Sequence, residues 1–413
     1  MSVGIYGGTG DSRLYVYGTK RPLNILYFDG QSATLTSAGT LDSQIALLQG
    51  NVPLYPSYDL IYDEDQRALD LCHLVSELGL DGVVRMNAGF EVLICDYSAD
   101  DIQELFVTNI TVPGNLENEN NKSLPQDPNR QPPRGVGNCF SEQGSWEWLR
   151  SASWHYGHYG DGGSPLSRVK LDLCRMVSFY DPALTSLAGS HHGGITGNQT
   201  FENGWGLRRG HRLLDIDESD VKMVRSWLRE IVRSTSKTSE CSGIDWQALF
   251  QVVEAQHGTR AKEIADALDW NYDTLDEAKN IITKIHELTH AILVPYLEYR
   301  VSDPDSSVTP KEQTISRCSS VYTALADPDR LSRSELVIYE SINSVMAKIC
   351  HWEWDLFEWS ERRTTNHLEH RQQPANLSGL QKEIDTYTKH TADLLKWIGW
   401  DKWSRCDRQC AIN

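Results

Sequence analysis

Two places in this chain carry residue types and spacings that could do chemistry. One is the carboxylate run Asp100, Asp101 and Glu104, and the other is the pattern His286-Glu287-Leu288-Thr289-His290. The acids end the stretch GVVRMNAGFEVLICDYSADDIQE, residues 82–104. It reads as a strand through Val83, Val84 and Met86, a turn at Asn87-Ala88-Gly89, and a second strand from Phe90 to Cys95. Asp96 and a helix start bearing the three acids then follow. Acids at the end of a buried strand suit a site, because strand ends in α/β sheets open onto the ligand crevice. On a helix, Glu104 lies four residues from Asp100 and three from Asp101, so the carboxylates share one face. The same residues also have a structural reading. Ser98 with Asp101 fits an N-cap and its capping-box partner, and acids in a first turn complement the helix dipole.

The H-E-x-x-H pattern at 286–290 falls on a predicted helix. Two histidines one turn apart can present imidazole nitrogens to one zinc ion, with Glu287 activating a bound water. Three features count against that chemistry. No downstream Glu-x-x-x-Asp or third histidine stands at the offset that known zinc peptidases use: Glu298 is too close, and Glu335 has Tyr339 four places on. In addition, Ile281, Ile285, Leu288 and Ile292 make an ordinary core stripe that the histidines flank.

The elements that must position these groups divide the chain of 413 residues. Leu23 to Phe28 reads as a strand ending at Asp29-Gly30-Gln31-Ser32, which makes Asp29 and Ser32 crevice residues by position, or a plain turn. Helices follow over Leu41–Leu48 and Asp63–Leu78, the second stopped by Gly79. With the two strands after them they predict an α/β, Rossmann-like layer over 1–113. Residues 114–136, rich in Asn, Pro, Glu and Gln, read as a mobile loop. The α/β region continues over 137–210. It contains an aromatic and histidine cluster at 145–164, equally a pocket wall or packing, and an alternating half-buried strand over Arg168–Tyr180. The glycines of GIYGGTG, residues 4–10, lack the preceding strand of a dinucleotide loop. From 211 to 413 the period is helical, with helices at Asp217–Ser234, Trp246–Gln256, Ala261–Leu268, Thr274–Leu293, Ser334–Cys350 and Leu380–Trp397. Trp352, Trp354, Phe357 and Trp359 read as core. Arg225, Arg229 and Arg233 form a row at fourfold spacing, preceded by Arg208, Arg209 and Arg212. The row suits phosphates or is a solvated face.

Composition limits the function classes. A net charge of −18 and 39% hydrophobic residues describe a globular chain without a broadly basic, nucleic-acid-coating surface. No apolar run reaches membrane-spanning length, and the first residues lack a signal-peptide core. Nine cysteines without a repeated spacing predict reduced thiols in the cytosol. Sequons at Asn109, Asn121, Asn198 and Asn376 keep a secreted, glycosylated, non-catalytic binding protein in view. The last residues, Cys410-Ala-Ile-Asn with Cys406 nearby, have a C-a-a-X form whose terminal Asn suits prenyl transfer poorly.

The stretches LYFDGQSA, GVVRMNAGFEVLICDY, RVKLDLCRMVSFYDP and CHWEWDLFEWS together resemble a group of fungal proteins. Within that group the chain is similar to the arginine-containing cyclodipeptide synthases, over residues 20 to 365. The family's D-D-x-x-E marker corresponds to Asp100-Asp101-Ile102-Gln103-Glu104. The resemblance implies a cytoplasmic transferase that condenses arginine, from arginyl-tRNA, with a second amino acid from another aminoacyl-tRNA into a cyclic dipeptide. It implies Asp100, Asp101 and Glu104 as the catalytic set, no cofactor, and tailoring enzymes as pathway partners. Physically, an aminoacyl ester is already activated, so a carboxylate base and correct placement suffice. Glu104 as base, Asp100 and Asp101 as guanidinium or structural groups, the arginine row on tRNA phosphates, and Ser32 as a possible nucleophile complete the expectation. A zinc peptidase built on the 286–290 pattern is the alternative.

Overall fold

The computed structural model describes residues 13–30, 32–33, 39–53, 63–86, 90–97, 100–109, 170–187, 212–214, 216–234, 241–298, 309–365 and 376–398. The aromatic and histidine cluster at 145–164, the 114–136 segment, Arg208, Arg209, Asn121, Asn198 and the C-terminal cysteines lie outside these residues. The chain forms two compact units, one of residues 1–172 and 177–236, the other of residues 173–176 and 237–413.

The first unit is mixed α/β. Strand β1 (Arg13–Thr19) is followed by β2 (Ile25–Tyr27), helices α1 (Asp42–Gln49) and α2 (Glu64–Leu78), then β3 (Gly82–Met86), β4 (Phe90–Ile94) and β5 (Ile102–Asn109). β2 pairs parallel with β3, so α1 and α2 form the crossover, and β3 pairs antiparallel with β4. Helix α2 ends as its sequence predicts. Gly79 adopts φ 73°, and its N–H caps carbonyls of the last turn. At Gly82 an added Cβ would meet the Leu93 carbonyl oxygen at 2.2 Å, so β4 crosses too close for any side chain there. Leu71 and Val75 of α2 bury against Val83, Phe28 and Leu47, with Val224 and Leu228 of helix α3 (Glu218–Ser234) closing the cluster. Arg67 and Arg85 are buried beside this core, where Glu64 accepts from both and Glu91 accepts from Arg85 across the β3–β4 register.

The second unit is helical: α4 (Trp246–Val253), a π-turn (Glu254–Gly258), α5 (Thr259–Leu268), α6 (Leu275–Leu293), α7 (Pro310–Ser320), α8 (Arg333–Thr365) and α9 (Leu377–Ile398). Thr274 with Glu277 and Thr309 with Glu312 form complete capping boxes that start α6 and α7. Helix α8 runs fifteen residues beyond the predicted Cys350 end, since no Gly or Pro interrupts it and Trp352, Leu356 and Trp359 bury against α6 and α9. None of the described helices is long and apolar enough to cross a membrane.

Three expectations are overturned. The acids after Ser98 do not begin a helix: Ile102–Asn109 is β5, paired antiparallel with β1 from Arg13↔Asn109 to Thr19↔Ile102. The β-prone run Leu105-Phe106-Val107-Thr108 finds its ladder in a strand more than eighty residues upstream, and that tertiary partner outweighs the local cap. The described part of the Arg168–Tyr180 stretch is not a strand, and Leu173–Arg175 is a single 3-10 turn. Cys174 there is tied to Cys241, which anchors the segment to the second unit. Finally, the six described cysteines are not free thiols. Cys72–Cys95, Cys174–Cys241 and Cys318–Cys350 are disulfides with Cα–Cα distances of 5.4, 5.7 and 6.1 Å, inside the normal bridging range.

Candidate functional site

In the first unit, β4 ends at Ile94 and is followed by Cys95, Asp96 and Tyr97, and Asp101 directly precedes β5. Helix α2 lies beside this exit, held to it by the Cys72–Cys95 disulfide. The space between them is a groove of about 440 Å³ whose polar lining includes His73, Ser76, Asp81, Asp96 and Asp101, with Leu23, Leu69 and Ile94 on its apolar wall.

The groove's carboxylates already hold a guanidinium. Arg21 Nη1 and Nη2 donate to Asp81 Oδ2 and Oδ1 at 3.1 and 2.7 Å, and Nη2 also lies 2.7 Å from Asp101 Oδ2. Two parallel bonds from one planar fork are the strong form of a guanidinium–carboxylate contact. The hydrogen bond from Arg21, with a further one from the Asn24 N–H, holds Asp81 below the usual carboxylate range against partial burial. Arg21 is in turn held more firmly protonated by Asp81 first and Asp101 second. The contact also joins β1's exit to β3's entrance, and the Lys20 N–H to Asp101 carbonyl bond of 2.8 Å ties the same exit to the start of β5.

The three acids of the D-D-x-x-E run are therefore separated rather than gathered on one helix face. Asp101 lines the groove; Asp100 is exposed and does not line it. Glu104 sits on β5 directly across from Tyr17 of β1. Partial desolvation first, and the Glu104 carboxylate second, push the Tyr17 phenol up. Tyr17 packs against Tyr97 at 5.0 Å between ring centroids and against Tyr15 at 6.3 Å, so Glu104 faces an exposed tyrosine row.

Ser32 does not fit a nucleophile. It is fully buried, and its hydroxyl donates to the Phe28 carbonyl at 2.7 Å. The arginine row is also broken. Arg225 turns inward, donating from Nε to the Leu47 carbonyl at 3.0 Å at the C-terminal end of α1, while Arg229 and Arg233 stay exposed. Arg212 pairs with the buried Asp42. Sequence reading named Asp96 at the strand end but missed Arg21, Asp81 and His73, although Asp81 just before a strand carried the same signal as Asp96 just after one.

In the second unit, His286 and His290 lie on α6 with rings stacked at 5.7 Å, and Phe357 of α8 stacks on both at 5.6 and 5.8 Å. Burial first and His290 second lower the His286 pKa, and its Nδ1 is buried without a hydrogen-bond partner. Among the described residues, the close groups of three metal-ligating side chains are Asp172, Cys174, Cys241 and Cys318, Cys350, Glu353. Neither contains a histidine of the 286–290 pattern. The arrangement is a set of stacked rings on α6 and α8 in which both histidines are half-buried.

A family profile described as the YPL277C N-terminal domain matches residues 7–129, which span the five described strands and the whole groove lining. The uncharacterized protein YPL277C of Saccharomyces cerevisiae is 38% identical over 104 residues, 23% of this chain and 21% of that protein. The uncharacterized protein YOR389W of the same yeast is 37% identical over 102 residues, 23% of this chain and 16% of that protein. The chain thus aligns with about a fifth or less of the length of these relatives. No solved structure matches.

Proposed function

We propose that this protein is an aminoacyl-tRNA-dependent cyclodipeptide synthase that takes arginine as one building block, with the groove beside Asp101 as the arginine side-chain site. The observation that carries the reading is the bidentate seating of the Arg21 guanidinium on Asp81 and its contact with Asp101. The same carboxylates, with Asp96 on the groove wall, have the charge and fork geometry to accept a substrate guanidinium. The α-amine of one aminoacyl ester attacks the carbonyl of the other, an amide bond forms, and the tRNA 3′-hydroxyl leaves with the displaced proton. Repetition within the dipeptidyl ester closes the ring. Glu104 is assigned as the base that takes the ammonium proton, Asp101 as guanidinium ligand and Asp100 as a positioning residue. Arg229 and Arg233 supply exposed cations for tRNA phosphates, and such contacts weaken steeply as salt rises. The parallel β2–β3 pair with its helical crossover would be the seed of a Rossmann-like layer, and in this reading the enzyme works in the cytoplasm with tailoring enzymes downstream.

The test is mass spectrometry of extracts from a host expressing the full chain, beside Asp101→Ala and His286→Ala. An arginine-containing cyclic dipeptide that is lost in Asp101→Ala and kept in His286→Ala supports the assignment. Absence of any such product from folded, soluble protein removes it.

One observation favours a second reading, a glycosylated non-catalytic binding protein. Three disulfides in one chain are the pattern of an oxidising compartment. The sequon asparagine Asn109 is exposed at the end of β5, and Asn376 caps α9, its Oδ1 accepting from the Gly379 N–H at 2.7 Å. A mass shift removed by glycosidase after secretion would select this reading.

A further inference from the structure

The second unit buries a polar cluster that neither reading uses. Glu353 on α8 is fully buried. Its Oε1 lies 2.9 Å from His257 Nδ1, and the other edge of that ring, Nε2, lies 3.0 Å from the Tyr322 hydroxyl. The Tyr322 hydroxyl donates its own proton to Gln256 Oε1 at 2.5 Å. Burial pushes that phenol up to about 12, so it stays protonated. With the tyrosine proton committed to Gln256, His257 Nε2 must carry a hydrogen to meet the phenol oxygen. Glu353 and Nδ1 then share one proton between them. His257 reaches this position because it sits in the π-turn between α4 and α5, and such turns recur at functional sites.

The second oxygen of Glu353 has no such partner. Oε2 points at Cys318 Sγ at 3.7 Å, and Cys318 is bonded to Cys350, so its sulfur has no hydrogen to donate. A buried carboxyl oxygen that faces a buried sulfur with no hydrogen to offer costs free energy as it stands. Cys318 Sγ, Cys350 Sγ and a Glu353 oxygen all lie within 4.8 Å of one another. Around tetrahedral zinc, with bonds of about 2.1 Å to oxygen and about 2.3 Å to sulfur, ligand oxygen and sulfur stand about 3.6 Å apart. The Glu353–Cys318 spacing of 3.7 Å is already that distance.

We propose that, with Cys318 and Cys350 reduced, these two thiolates and Glu353 hold a zinc ion, oriented by His257 from behind the carboxylate. Each thiol loses its proton to solvent as its sulfur binds the metal. The two sulfurs separate to about 3.8 Å, the spacing of two sulfur ligands at tetrahedral zinc. Starting from the disulfide, a dithiol reductant supplies two electrons and two protons to the S–S bond and is itself oxidised to a disulfide. His257 is the outer-sphere hydrogen bond that metal-binding side chains ordinarily require. The site is distinct from His286 and His290, and it stands whether or not the chain makes a cyclic dipeptide.

The test uses the full chain, expressed in a reducing cytosol, purified without oxygen, and analysed for zinc content and free thiols. The expected result is one zinc per chain, retained in His286→Ala and in Cys241→Ser and lost in Cys318→Ser. In His257→Gln zinc binding should weaken about 10- to 100-fold, and in Glu353→Gln, which keeps side-chain volume but removes a direct ligand, it should weaken further. Because Cys318→Ser could unfold the unit, intact wild type is also loaded with cobalt(II). A thiolate-to-cobalt charge-transfer band that zinc displaces supports the site. Metal-free wild type with Cys318 and Cys350 as free thiols overturns it. So does zinc that persists in folded Cys318→Ser.

Discussion

Glu335→Gln is the substitution for which the structure specifies most. Glu335 sits in the first turn of α8 and is 1% exposed, with no cation paired to it among the described residues. Its charge is stabilised by donors alone. The Ser242 hydroxyl and the Trp246 indole N–H, the latter at 3.1 Å, donate to Oε1; the Ser332 N–H at 3.0 Å donates to Oε2; and the Ser242 N–H reaches both oxygens at 3.1 and 3.2 Å. Ser332 Oγ accepts from the Glu335 N–H at 3.2 Å, which completes a reciprocal cap, and it donates to the Cys174 carbonyl at 3.1 Å. Burial alone would raise the Glu335 pKa, but the hydrogen bonds from Ser242, Ser332 and Trp246 together bring it below the ordinary value. Glutamine keeps one acceptor oxygen and turns an NH₂ group toward the remaining donors. One backbone N–H is left facing a donor, at about 1–3 kcal/mol, and two charge-assisted bonds become neutral ones at about 1 kcal/mol each. The expected loss is about 3–5 kcal/mol, read as reduced hydrogen-exchange protection of α4 and the first turns of α8. The sign with pH follows from a depressed folded pKa. The stabilisation is present above the unfolded value of about 4.3 and disappears as pH falls through the folded pKa, so wild type and variant should converge in acid. A loss below about 1 kcal/mol at neutral pH, or a difference that grows in acid, would refute the donor-shell account.

Two further outcomes follow from the same physics. Cys72→Ser in oxidised protein opens a cross-link spanning 23 residues, and loop-closure entropy puts the loss at about 3 kcal/mol. Urea unfolding followed by exchange at β3 and β4 should show it, and an unchanged midpoint would mean that the hairpin and α2 are held by packing alone. Thr274→Ala removes the α6 capping box and should cost about 1 kcal/mol, whereas Thr274→Ser should be close to neutral. Equal destabilisation by both would place the effect in the threonine methyl rather than its hydroxyl.

The elements with strong local codes were readable from residues alone. Helix α2 carries an apolar stripe through Leu71 and Val75 with Gly79 as its stop, and both features appear as expected. Strands β3 and β4, the helical second half and the buried Trp352, Phe357 and Trp359 follow from periodicity in the same way. Helix α7 went unread because Pro310 and a short apolar pattern gave a weak signal, although its Thr309–Glu312 capping box was there to be seen.

What lay beyond local pattern was decided by partners far away in sequence. Whether Asp101 and Glu104 start a helix or flank a strand depends on β1, since a ladder cannot form without its second strand. Asp81 and Asp101, from two separate segments, meet at the groove on the guanidinium of Arg21, which comes from a third. Arg225 looked like part of a solvated row at fourfold spacing, but the end of α1 supplies a carbonyl that draws it inward. The same holds for the cysteines. Spacing carries no pairing information, whereas Cα atoms brought to 5.4–6.1 Å do. The sequence by itself determined the segments whose stability is local: amphipathic helices, caps and turn-bounded strands, where neighbours three or four residues apart supply the energy. Only the tertiary structure decided which charged and sulfur-bearing side chains meet. Those contacts form across long loops, and their residue types alone do not say which one closes.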